Sequence, residues 1–215
     1  QAGLLQFQND MWAPVSTINS LPAGDAVTGI LPINNDSTLI LTLKNGFYSL
    51  TSNKIAVQES VNNTIFKNDR IYAVTAVNKD WIALATNNNG VYITDLKGNI
   101  IQSFSRTEGL QNNNVLSVFS DSQHNLWLGL DNGIDLVTYN SSIKQIKPLL
   151  QDGSGYTAIK YDNRLYLGTS NGLYSVPLQP VPDMSFSKGY FTEVNNTRGQ
   201  TWGLANINKQ LLLGH

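Results

Sequence analysis

Acid–base or nucleophilic chemistry needs two groups placed for proton transfer, and this 215-residue chain supplies few. It has two histidines, His124 and His215, and no cysteine. Thiol catalysis, thiolate metal sites and a disulfide framework are therefore excluded. His124 falls in the polar turn Ser122–His124, where Gly or Asn would serve as well. His215 takes the strand position that Leu130 and Thr169 hold in related stretches, at the edge of a core. The carboxylates Asp80, Glu108, Asp121, Asp131 and Asp135 could on paper supply the pair about 5 Å apart that a retaining glycosidase uses. Asp121 and Asp131, however, belong to hairpin turns, where an Asx turn is the expected role. No second metal ligand lies at a recognisable spacing, and the Gly-Lys-Ser/Thr of a phosphate loop is absent. The expectation is no catalytic residue, no metal and no cofactor.

Binding without chemistry has more to work with. Trp12, beside Asn9 and Asp10 in an irregular connection, lies off every pattern and could stack on a sugar ring. Trp202 also falls outside the repeated hairpin motif, where it could instead fill an inner-strand slot. Arg106 and Glu108 lie on one loop leading into a strand, and Arg198 lies on a comparable loop. The ligand-binding candidates are Trp12, Arg106, Arg198, Trp202 and His215. Solvated loop charges and core filling are the competing readings of the same residues.

The elements that must position them are organised around Gly109–Val137. Val115–Asp121 alternates apolar and polar residues and reads as a strand. Asn125–Leu130 and Ile134–Tyr139 read as two more, joined by Asp131-Asn132-Gly133, a strong hairpin signal because Asn and Gly tolerate positive φ. The hairpin recurs at Leu39–Tyr48, Ile82–Tyr92 and Leu165–Tyr174. Its turn glycines Gly46, Gly90, Gly133 and Gly172 are spaced by 44, 43 and 39 on subtraction, near the roughly 40–50 residues of a propeller blade. Read across the chain ends, Leu211–His215 followed by Gln1–Phe7 restores the motif, making Gly3 a fifth turn glycine. A closed ring and a section of a longer array both fit that join.

The expectation is an all-β, single-unit β-propeller of about five blade-length repeats of four-stranded antiparallel sheets, with no helical periodicity. The third blade ends with an outer strand at Ile143–Leu149. Residues 177–198, opening with Pro177, Pro180 and Pro182, form an irregular connection. Trp127 shares a repeat position with Ile40, Ala83, Tyr166 and Leu212, apolar throughout, and is assigned to the core between blades. Gly129, Gly168 and Gly214 recur before the turn, as glycines that let sheets approach.

Charged residues are 13% of the chain against about 25% in typical domains. A net charge of −1 gives no field for nucleic acid or an anionic membrane. No run approaches the roughly 20 apolar residues of a membrane span, and Gln1 does not open a signal peptide.

Gly109-Leu-Gln-Asn-Asn-Asn-Val115, Val118, Asp121, Asn125-Leu-Trp-Leu-Gly129 and Asn132-Gly-Ile134 resemble the two-component regulator propeller repeat. His124 stands where that repeat usually has Gly. Leu165–Thr169 with Asn171-Gly-Leu173 matches in part, and the other copies only in turn glycine and strand period. The resemblance implies a periplasmic sensor region of a hybrid two-component histidine kinase. Such a protein carries further blades and an immunoglobulin-like domain in the same chain, forms a homodimer, and leaves nucleic acid to other regions. Its implied ligand is an oligosaccharide from polysaccharide breakdown, and its implied output is transcription of the utilisation genes. A structural or protein-interaction scaffold and a polysaccharide-acting propeller enzyme remain the alternatives.

Overall fold

The computed structural model describes residues 4–15, 21–141, 145–146, 148, 153–178, 186–187 and 191–215. They group into two compact units, Gln1–Asn140 and Ser141–His215.

Unit 1 opens with the hairpin β1 (Leu5–Gln8) and β2 (Met11–Pro14), a two-stranded sheet. Gly3 lies outside the described residues. Next come β3 (Val27–Asn34), β4 (Ser37–Thr42), β5 (Gly46–Thr51) and β6 (Lys54–Val57), an antiparallel sheet in sequence order. After helix α1 (Asn63–Asp69), β7 (Ile71–Ala76), β8 (Trp81–Thr86), β9 (Val91–Asp95) and β10 (Ile100–Phe104) repeat the plan. The third sheet has β11 (Val115–Ser120), β12 (Leu126–Leu130) and β13 (Gly133–Val137). These sheets are propeller blades, and the inner strands β3, β7 and β11 stand side by side.

Alternation explains the packing. Side chains on a strand point to opposite faces in turn, so a strand flanked by blades on both sides must be apolar at every position. Strand β8 meets that requirement with Ile82-Ala-Leu-Ala85. Ile82 and Leu84 pack with Leu39, Leu41 and Phe47 of the first sheet and with Tyr92 of β9. Ala83 and Ala85 join the cluster of Val115, Leu126, Leu128 and Leu130. Burying a side chain of Leu or Ile size stabilises by about 1.5–3 kcal/mol.

Helix α1 is the departure from an all-β reading. At seven residues it is too short to show a 3.6-residue period, and its one buried side chain is Phe66. That ring sits 5.3 Å from Phe47 and 6.0 Å from Tyr92.

Unit 2 contains β15 (Gly155–Tyr161), β16 (Arg164–Thr169), β17 (Leu173–Pro177) and β19 (Thr192–Glu193) as one antiparallel sheet. A two-stranded sheet follows, β20 (Gly203–Ile207) with β21 (Gln210–Gly214). The described part of the expected third outer strand is β14 (Gln145–Ile146), and it pairs in parallel with β18 (Phe186–Ser187). Among the described residues the third sheet therefore has three strands. Residues 179–185 and 188–190 of the irregular connection lie outside the described residues. Its tail holds β19, whose Glu193 and Thr192 pair with Tyr174 and Ser175 of β17.

Two repeat positions need correction. Trp127 is not core: it is 43% exposed, on the face of the third sheet that also bears Phe119, Ile134 and Leu136. Its register partners are Phe119 and Leu136, and only the opposite face, Leu126, Leu128 and Leu130, packs on the second sheet. Ile40 is not its counterpart. Leu39 and Leu41 face the second blade, as Ala83 and Ala85 face the third, so the copy aligns one residue earlier. A one-residue slip exchanges the two faces of a strand.

Among the close-packing glycines only Gly168 packs tightly against a segment outside its own sheet, the stretch at Thr201 before β20. A Cβ there would lie 2.5 Å from Thr157 Cγ2 and 2.7 Å from Thr201 Cγ2. At Gly129 it would meet only Ser117 of the adjacent strand, and at Gly214 nothing nearer than 3.8 Å. Among the turn glycines Gly46 and Gly90 have φ of 79° and 73°, and Gly172 has 150°. Gly133 is not in the left-handed region, and its turn needs only Asp131 and Asn132 between the paired Leu130 and Gly133.

Candidate functional site

Two kinds of loop meet at one end of each blade. The turn between second and third strands is closed by a threonine whose role no periodicity reveals. Thr42, Thr86 and Thr169 donate Oγ1–H to the carbonyls of Gly46, Gly90 and Gly172 at 3.4, 2.9 and 3.0 Å. The same oxygens accept from the backbone N–H of Asn45, Asn89 and Asn171. The loop leading into the next inner strand lies against that turn. Gly90 N–H donates to Asn113 O at 2.8 Å, and Leu173 N–H donates to Thr197 Oγ1 at 3.2 Å. Arg106 and Arg198 ride on these loops.

In unit 2 this end holds three of the five candidates together. Arg198 Nε pairs with Glu193 Oε1 at 3.1 Å, and Glu193, Asn195, Asn196 and Arg198 line an open depression of about 660 Å³. His215 occupies the place of the turn-closing threonine. Its Nε2–H donates to Arg198 O at 2.8 Å, with the imidazole against Gly199. The Trp202 backbone N–H donates to Gly214 O at 3.0 Å, which ties its backbone to the same strand end. The Trp202 ring stacks on Tyr156 at 4.4 Å with 21° between planes and stays 56% exposed. Sequence reasoning missed Tyr156, Glu193, Asn195 and Asn196. Asn196 has a φ of 62°, and an Asn-Asn pair just before Thr197 was the available signal.

The other two candidates lie apart, in unit 1. Trp12 is 67% exposed and leans on its cross-strand neighbour Phe7 at 5.3 Å. Arg106 is exposed, and its backbone N–H donates to Asn113 Oδ1 at 2.7 Å.

Three of the carboxylates weighed for catalysis, Asp121, Glu108 and Asp135, accept from backbone N–H groups. Asp121 Oδ1 accepts from the N–H groups of Gln123 and Asn125, each at 2.9 Å. Its Oδ2 accepts from Trp127 Nε1–H at 3.0 Å and Asn125 Nδ2 at 3.1 Å. The indole and these amides hold its carboxyl down at a pKa of about 2. Asp95 makes the same loop with Lys97 and Asn99. Partial burial there pushes its carboxyl up, and the Asn99 and Lys97 hydrogen bonds outweigh it and lower the pKa. Glu108 Oε2 accepts from Ser105 N–H and Oγ–H at 2.8 and 2.6 Å. Asp135 accepts from the Gln111 N–H and amide at 2.9 and 2.6 Å. Elsewhere, burial and then the 2.6 Å bond to Asp69 raise the Tyr92 hydroxyl well above its usual range.

Residues 109–132 match the family model described as two component regulator propeller, so the third blade is a repeat of that type. No protein of curated function matches the sequence. Among solved structures, the extracellular domain assigned to the hybrid two component system BT4673 from B. thetaiotaomicron is 20% identical, with a TM-score of 0.48, over 98% of this chain and 30% of that one. The corresponding domain of BT3049 from the same organism is 14% identical, with a TM-score of 0.32, over 99% and 34%. The computationally designed Ika8 protein is 11% identical, with a TM-score of 0.37, over 87% and 55%. The chain thus spans about a third of the length of the sensor domains it resembles.

Proposed function

We propose that this chain is a propeller section of the extracytoplasmic sensor region of a hybrid two-component system and binds an oligosaccharide. The observation that carries the reading is the unit 2 blade end. There a stacked Tyr156–Trp202 pair stands on the same strand end as the Glu193, Asn195, Asn196 and Arg198 depression. Sugar recognition needs an aromatic face for the C–H side of a ring and convergent polar groups for its hydroxyls. The family match at residues 109–132 supplies the signalling context. In this reading the section sits in the periplasm beside further blades and an immunoglobulin-like domain, within a homodimer. Ligand favours one arrangement of the dimer through differential affinity, and the output is transcription of genes that use the polysaccharide. The region performs no chemistry itself.

A thermal-shift screen of the purified chain against plant and host oligosaccharides tests this. A ligand that binds only the folded state must raise the melting temperature in proportion to RT ln(1 + [L]/Kd). A dose-dependent rise with one glycan, abolished in Trp202→Ala, is the expected result. The second reading is a scaffold whose ligand site lies elsewhere, favoured by the small share of the comparable sensor domains that this chain spans. A cooperative melt with no shift for any sugar would select it.

A further inference from the structure

We infer that the unit 2 site takes an uncharged sugar chain of two or more residues, and discriminates against uronate or sulfated ones. The inference rests on the sugar-binding reading above and narrows its ligand class.

Charge is the first ground. Among the described residues the one cation lining the depression, Arg198, is already matched by Glu193 at 3.1 Å, so the described lining carries no net charge. An anionic sugar would gain the guanidinium only by displacing Glu193 or by sitting beside its carboxylate, and like charges at close range disfavour both. The supply of donors and acceptors is the second ground. Each of Asn195 and Asn196 offers an acceptor oxygen and an NH₂ donor, Glu193 only accepts, and Arg198 only donates. A sugar hydroxyl donates and accepts at once, so vicinal hydroxyls can use both halves of such a set. A carboxylate or sulfate only accepts, and would leave Glu193 and the amide oxygens facing it without a donor.

Length is the third ground. Arg198 and Trp202 are four residues apart, so their Cα atoms lie within about 14 Å. Two hydrogen bonds hold the backbones of Arg198 and Trp202 to one strand end, His215 to Arg198 O and Trp202 N–H to Gly214 O. A chain with one residue in the depression and a neighbour against the exposed Trp202 indole uses both.

Isothermal titration of the intact chain with cellohexaose, xylohexaose, arabinohexaose and galactohexaose, against trigalacturonate and a chondroitin sulfate hexasaccharide, tests the inference at low and high salt. At least one neutral hexasaccharide should bind with an affinity that salt leaves nearly unchanged, and its monosaccharide should bind more weakly. Trp202→Ala and Asn195→Ala should each weaken that binding about tenfold, with unchanged circular dichroism melts. Preferential binding of an acidic oligosaccharide, lost at high salt and in Arg198→Gln, would overturn the inference and leave sugar sensing intact. Failure of every saccharide to bind would overturn both. Neutral binding untouched by either variant would remove it from this site.

Discussion

In unit 1, strand β8 is buried on both faces, Leu84 at 0% exposure, and the three extended apolar clusters among the described residues all lie there. In unit 2 the counterpart strand β16 is only partly buried through Leu167, and buried at Gly168 and Thr169. Exposed aromatic and charged residues occur in both units, Trp12 and Arg106 in unit 1 and Arg198, Trp202 and Tyr156 in unit 2, but only in unit 2 do three of the five candidates stand at one blade end. The same repeat is thus used in two ways. Where both faces of a blade are covered, its variable positions become aliphatic. Where they are not, those positions are free to carry aromatic and charged groups without loss of core.

The largest effect that can break this comparison is in the core. Leu84→Ala should destabilise by about 2–5 kcal/mol, read as a lower urea midpoint, whereas Leu167→Ala in unit 2 should cost about 1 kcal/mol. Equal losses would show that unit 2 is as tightly cored as unit 1. Next in size, Gly168→Ala should cost about 1–3 kcal/mol by overpacking against Thr157 and Thr201, including Thr201 O at 2.8 Å from the new Cβ. Gly214→Ala, with nothing nearer than 3.8 Å, should change the melting temperature little. The two substitutions together separate a real sheet contact from a merely repeated glycine.

A smaller effect comes from the paired Asp loops of unit 1. Asp95 and Asp121 bind their backbones alike, but Gly98 has φ 80° where His124 has φ 61°. His124→Gly should stabilise by up to about 1 kcal/mol, since left-handed strain costs a side-chain-bearing residue more than the added chain entropy of glycine. No gain in a thermal melt would mean that the loop absorbs the strain. The smallest effect is in acid. Asp121 has a folded pKa of about 2, below the unfolded value of about 4. Its contribution is therefore present above pH about 4 and lost as pH falls towards 2. Asp121→Asn should flatten that part of the melting-temperature profile, and an unchanged slope would assign the acid sensitivity to other carboxylates.

Much of this was legible in the sequence, for definable reasons. Turn glycines at blade spacing gave the repeat because positive φ is a demand that few residues meet, and the strand read at Val115–Asp121 is Val115–Ser120 in the fold. Short elements were not legible. The two residues of β19 and the seven of α1 are too few for a period to emerge. The threonines at 42, 86 and 169 act through hydroxyl geometry, which leaves no hydrophobic trace. Trp127 misled because an apolar residue recurring in every copy says which face it is on, but not whether anything covers that face. Of the candidate site, Arg198 was legible as a loop charge, Trp202 as an aromatic outside the hairpin motif, and His215 as a polar residue at a strand position that Leu130 and Thr169 hold elsewhere. Their companions Tyr156, Glu193, Asn195 and Asn196 come together only when β15, β19 and the loop before β20 are folded side by side.

The parallel pairing of Gln145–Ile146 with Phe186–Ser187 constrains the order of events during synthesis. The first of these segments leaves the ribosome before β15, β16 and β17 exist, and its pairing partner only after all three. Its backbone edge is therefore open throughout the time the fourth blade is being made, a window in which a chaperone or a neighbouring nascent chain competes for it. Closure then reports that the blade enclosed between the two segments has been completed.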